Sequence, residues 1–100
     1  MEVDGAPKNA AIGSIGEEDL YSFDVVDAGR FAVATEGGTD LVMKVYGPDD
    51  QSRLIGADDD GGAGFNPRIA ADLIPGRYFV QIRHYDNAGV GEYRIDIRTV

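Results

Sequence analysis

Two acidic stretches hold the side chains with the most evident chemistry. In "ADDDGGAG" (57–64), Asp58, Asp59 and Asp60 run into glycines, and in "GEEDLY" (16–21), Glu17, Glu18 and Asp19 stand together. Hard cations such as Ca²⁺ take six to eight oxygen ligands, which clustered carboxylates and loop carbonyls supply. Side chains two apart can converge while the middle one diverges, so Asp58 and Asp60 are the loop's metal candidates. Asp and Gly are equally the residues of turns, and the same letters describe an exposed, solvated hairpin loop. Both readings of 58–60 stay open, whereas "GEEDLY" on its residues alone reads as a charged turn.

Two known calcium patterns fail at the loop. An EF-hand frame starting at Asp58 needs an oxygen ligand where Gly62 stands and a bidentate Glu where Ile69 stands. "GGAGFNPRI" approaches the β-roll nonapeptide, but it occurs once, and a single copy has nothing to stack on.

Nucleophilic catalysis finds no constellation. There are no cysteines, and Ser14, Ser22 and Ser52 sit in no Gly-x-Ser-x-Gly context. The single histidine, His84, shares the parity of Tyr78, Val80 and Ile82, which predicts an imidazole at the core edge or in a structural hydrogen bond. A recognition surface is the competing use of the polar side chains. Arg77, Phe79, Arg83, Tyr85, Arg94 and Arg98 fall on outward positions of the last two long strands, combining flat apolar area with donors. Ordinary surface charge accounts for the same residues.

The elements that must position these groups alternate with period two. Tyr21, Phe23 and Val25 share a parity in "DLYSFDVV", Phe31 and Val33 in "RFAVAT", and Leu41, Met43 and Val45 in "DLVMKVY". "RLIGA" (53–57) is short, "RIAADL" groups Ile69, Ala71 and Leu73, and "EYRIDIRTV" turns Tyr93, Ile95 and Ile97 inward. Turn signals fall about every ten residues and no helical period of useful length occurs. The pattern predicts an all-β antiparallel sandwich of seven or eight short strands, one domain over 1–100.

Composition narrows the partners. With 18 Asp and Glu against 9 Lys and Arg, a net charge of −9 opposes nucleic-acid binding, which needs cations along one face. The acidity is concentrated: residues 1–66 hold fourteen acids and four bases, residues 67–100 four acids and five arginines. No apolar run of about 18 residues suggests a membrane span, and "MEVDGAPKNA" lacks the regions of a signal peptide, so any export signal lies outside these residues.

The segments "GSIGEEDLYSFDV", "AGRFAVATEGGTDLVMKVYGPD", "ADDDGGAGFNPRIAADLIPGRYFVQI" and "GVGEYRIDI" together resemble the bacterial pre-peptidase C-terminal domain, related to the collagen-binding domains of clostridial collagenases. The resemblance covers nearly the whole chain. It implies a jelly-roll-like β-sandwich without catalytic activity, appended to secreted hydrolases, often proteases. The implied partners are a neighbouring catalytic domain and, in some members, Ca²⁺ or a collagen-like or polysaccharide polymer. The resemblance also implies a calcium ligand at Asp19, with Glu18 beside it and Glu2 and Asp4 as opposing ligands from the N-terminal segment. At that segment "EVDGAP" replaces the Glu-Pro-Asn-Asp-like opening common in the family.

Overall fold

The computed structural model describes residues 1–59, 66–86 and 88–100. Eight strands follow in order: β1 (Lys8–Ile12), β2 (Glu18–Val25), β3 (Gly29–Glu36), β4 (Leu41–Tyr46), β5 (Leu54–Asp58), β6 (Arg68–Leu73), β7 (Gly76–His84) and β8 (Gly91–Thr99). They form two four-stranded antiparallel sheets, ordered β1-β8-β3-β6 and β2-β7-β4-β5. This is the strand order of an eight-stranded jelly roll, as expected from the sequence.

Alternation builds the core between the sheets. Phe23 and Val25 of β2, Leu41, Met43 and Val45 of β4, and Tyr78, Val80 and Ile82 of β7 point inward from one sheet. Ile12, Phe31, Val33, Leu73, Tyr93, Ile95 and Ile97 meet them from the other. Phe23 and Tyr78 stack with ring centroids 5.5 Å apart, an offset arrangement that the ring quadrupoles favour. Each inward set is the one its parity predicts, because a register slip of one residue would expose the whole set.

Two elements depart from the sequence reading. "KNAAI" forms the edge strand β1, paired with β8 from Lys8↔Ile95 to Ile12↔Gly91, although two alanines and a polar pair give it little strand signature. The strands flanking the aspartate segment, β5 and β6, are not hairpin partners but belong to different sheets.

The N-terminal segment closes the side of the sandwich where β1 and β2 are edge strands. The Met1 ammonium donates to the Ser22 carbonyl at 2.6 Å, and the Asp4 N–H donates to the Ile97 carbonyl at 2.7 Å. The segment thus touches both sheets.

Candidate functional site

Along β2 the side chain of Asp19 alternates with the exposed Leu20 and leans toward the interior at one end of the sandwich. There it meets Tyr93 of β8, whose hydroxyl donates to Asp19 Oδ2 at 2.5 Å. The Tyr21 and Tyr93 oxygens lie 2.6 Å apart. Since Tyr93 gives its one proton to Asp19, Tyr21 donates to Tyr93, and a hydroxyl chain bridges the two sheets. Lys8 of β1 covers this corner, its ammonium 5.6 Å from the Tyr21 ring centroid.

The electrostatics of the corner follow from burial and from Glu17. Partial burial pushes the Asp19 carboxyl above its ordinary range; the Tyr93 hydrogen bond opposes this, and the neighbouring Glu17 carboxylate adds to it. Glu17 moves the other way, held low by the hydrogen bond it receives from Asp19 and by the Gly13 N–H and Ser14 hydroxyl. Burial together with the adjacent Asp19 raises the Tyr93 phenol strongly, so it stays a donor.

The other predicted metal ligands are elsewhere. Asp4, at a backbone φ of 61°, accepts the Thr99 N–H at 2.7 Å and the Thr99 hydroxyl at 2.6 Å. Thr99 and Tyr93 are separated along β8 by roughly 20 Å at the rise of an antiparallel strand, so Asp4 lies at the opposite end from Asp19. Glu2 belongs to the Asp4 end, where its carbonyl accepts the Gly5 N–H at 3.4 Å. Glu18 is exposed on the outer face, opposite Arg83 of β7. Asp58 ends β5 and accepts the Arg68 N–H at 2.8 Å, stitching β5 to β6, and Asp60 lies outside the described residues. Among the described residues no three acidic, His or Cys side chains gather around one point. The Glu17/Asp19 pair has the donor chemistry of a hard-cation site, but two carboxylates do not reach the six to eight oxygens of Ca²⁺.

The outward set divides between opposite faces of the molecule. Arg77, Phe79 and Arg83 project from β7, Arg94 and Arg98 from β8, and these strands are in different sheets. The arginines are also engaged: Arg77 with Asp24 at 2.9 Å, Arg94 with Glu36 at 3.0 Å, Arg98 with Asp96 at 3.0 Å, and Arg83 donating to the His84 carbonyl at 3.1 Å. Tyr85 stands exposed just past β7. His84 plays a structural part, its Nδ1 accepting the Asp86 N–H at 2.9 Å.

Phe79 has other neighbours than the arginines. On the outer face of the β2-β7-β4-β5 sheet a groove of about 600 Å³ is lined by Leu20, Tyr46, Phe79, Gln81 and Gln51, among others. Register places Ser22, Phe79 and Tyr46 side by side across three strands, with Leu54 of β5 next to Tyr46. The sequence carried the signal in the outward parity of Leu20 and Tyr46, which only the strand order brings beside Phe79.

The fold agrees with what the chain is similar to. Residues 17–84 match the family model of the bacterial pre-peptidase C-terminal domain. Collagenase ColA of Clostridium perfringens is 27% identical over 104 residues, a match covering 98% of this chain and 9% of that protein. The crystal structure of the pre-peptidase C-terminal domain of a Bacillus anthracis collagenase superposes with a TM-score of 0.68 at 21% identity, covering 96% of this chain and 92% of that one. PliG of Aeromonas hydrophila, a periplasmic inhibitor of g-type lysozyme, shares the fold with a TM-score of 0.69 at 17% identity, over 92% of this chain and 82% of its own. With more than half of its length matched by the family model, the chain belongs to the bacterial pre-peptidase C-terminal domain family, a family of non-catalytic accessory domains.

Proposed function

We propose that this domain serves a larger exported hydrolase, a peptidase, by holding the enzyme or its polymeric substrate in place while a neighbouring domain performs the chemistry. The observation that carries this reading is the match along 98% of the chain to a segment that makes up only 9% of a collagenase. The periplasmic relative supports an exported setting. His84 and two of the serines fit the same reading: the imidazole Nδ1 accepts a backbone N–H, Ser14 bonds Glu17 and Ser52 bonds Asp50.

The purified domain is therefore expected to hydrolyse neither gelatin nor short chromogenic peptides above the buffer rate. Turnover that is saturable and is lost in a folded His84→Ala variant contradicts the proposal.

A second reading concerns Ca²⁺, and the Glu17/Asp19 pair favours it. Glu17 and Asp19 are adjacent carboxylates, the latter pushed up by burial, and a cation bound between them would relieve their mutual repulsion. Asp19 and Glu17 are the residues that would hold the ion, which would lock the start of β2 to the preceding turn. Its contribution is stability of the fold.

A further inference from the structure

We propose that the groove on the outer face of the β2-β7-β4-β5 sheet binds a neutral polysaccharide chain; this deepens the accessory-domain reading and rests on it for the identity of a polymeric partner. Phe79 and Tyr46 are directly opposed across β7 and β4, so both aromatic side chains leave the same outer face at neighbouring positions and both line the groove. Leu20, 71% exposed, extends the apolar floor from β2. Around it stand polar groups without protein partners: the Tyr46 hydroxyl and the amides of Gln51 and Gln81 enter no hydrogen bond with the described residues.

None of the lining residues carries a charge, on a chain in which 27% of residues do. Charges border the lining without joining it: Asp24 is paired with Arg77 at one end, Asp50 accepts the N–H and hydroxyl of the lining residue Ser52, and Lys44 stands beside Gln81. Such a surface suits a ligand with apolar C–H faces and many hydroxyls. The ring faces of a pyranose pack on aromatic carbon, and its hydroxyls exchange hydrogen bonds with amide and phenol groups. A polyanion or a charged polypeptide would have to desolvate most of its charges against a floor that itself carries none. The charge pattern thus separates a neutral polysaccharide from a collagen-like chain bearing basic and acidic side chains.

The test is co-sedimentation of the domain with microcrystalline cellulose, with chitin, with the acidic polymer alginate (as calcium gel beads) and with collagen fibrils. Retention on cellulose or chitin that survives 1 M salt is expected, because no ion pair is involved. Tyr46→Ala with Phe79→Ala should weaken it about tenfold or more, the scale of losing a recognition anchor. Gln81→Ala should weaken it less, with far-UV spectrum and melting temperature unchanged in every variant. Absence of retention on both neutral polymers, retention on collagen or alginate alone, or retention indifferent to the variants overturns the proposal. So does a domain dimer in analytical ultracentrifugation that dissociates in Phe79→Ala, since a second copy then covers the groove. Binding to collagen alone would leave the accessory-domain reading standing, whereas hydrolysis by the domain would strike that reading and not this one.

Discussion

At the scale of single residues the corner formed by Asp19, Glu17, Tyr93 and Tyr21 is the most informative. A carboxyl raised by burial binds its proton more tightly in the folded chain than in the unfolded one. The stability Asp19 contributes is therefore full below the ordinary carboxylate range and is lost as pH climbs through its raised folded value. Asp19→Asn keeps an oxygen for the Tyr93 hydroxyl and removes the repulsion with Glu17. The variant should be slightly more stable than the parent at neutral pH without calcium, and the difference should close as pH falls through the carboxylate range. If Ca²⁺ sits between these carboxylates, millimolar Ca²⁺ raises the melting temperature of the parent and of Asp4→Ala and Asp58→Ala, but not of Asp19→Asn. Thermal scans at matched ionic strength check this, and an equal calcium response in Asp19→Asn removes the corner as the site. Asp19 was legible as a candidate from its place before the first tyrosine of β2. Tyr93 was legible only as core, because the hydroxyl that reaches Asp19 depends on which strands face each other across the sandwich.

Among the elements, the turn between β6 and β7 shows how an inward side chain fixes a connection. The Tyr78 hydroxyl accepts the Ile74 N–H at 3.1 Å and donates to the Ile74 carbonyl at 2.8 Å, so one phenol satisfies both backbone groups of a turn residue. Tyr78→Phe keeps the stack on Phe23 and removes both bonds. It is expected to cost about 1–3 kcal/mol, the range for leaving partly buried polar groups unmade, read as a lower urea midpoint with an unchanged slope. A variant as stable as the parent would show that water replaces the hydroxyl at no cost. The strands themselves were largely readable, because period-two alternation of β-branched and aromatic residues is a strong signal in β2, β3, β4, β7 and β8. β1 was not, since its alanines owe their strand conformation to pairing with β8. That β5 and β6 enter different sheets was not legible, because turn residues mark a change of direction and say nothing about which sheet receives the chain.

For the whole molecule, the sandwich sets different chemistry on its different faces. One outer face carries the alanines and ion pairs of β3 and β8, the other the uncharged groove, and the tyrosine-linked carboxylates occupy one end. Sequence parity assigned residues to the outside but could not divide β7 from β8, so of six outward side chains read as one surface, five are spread over two sheets and Tyr85 lies past the end of β7. On the proposed reading the domain acts on where an enzyme works, and its effect should appear only with substrates large enough to be held. The most direct measurement compares the full-length protein with the same protein lacking these 100 residues, on a short soluble peptide and on an insoluble polymeric substrate. The account predicts an unchanged kcat/KM on the peptide and a clear loss of rate on the polymer. Loss of peptide hydrolysis while the remaining protein is folded would contradict it.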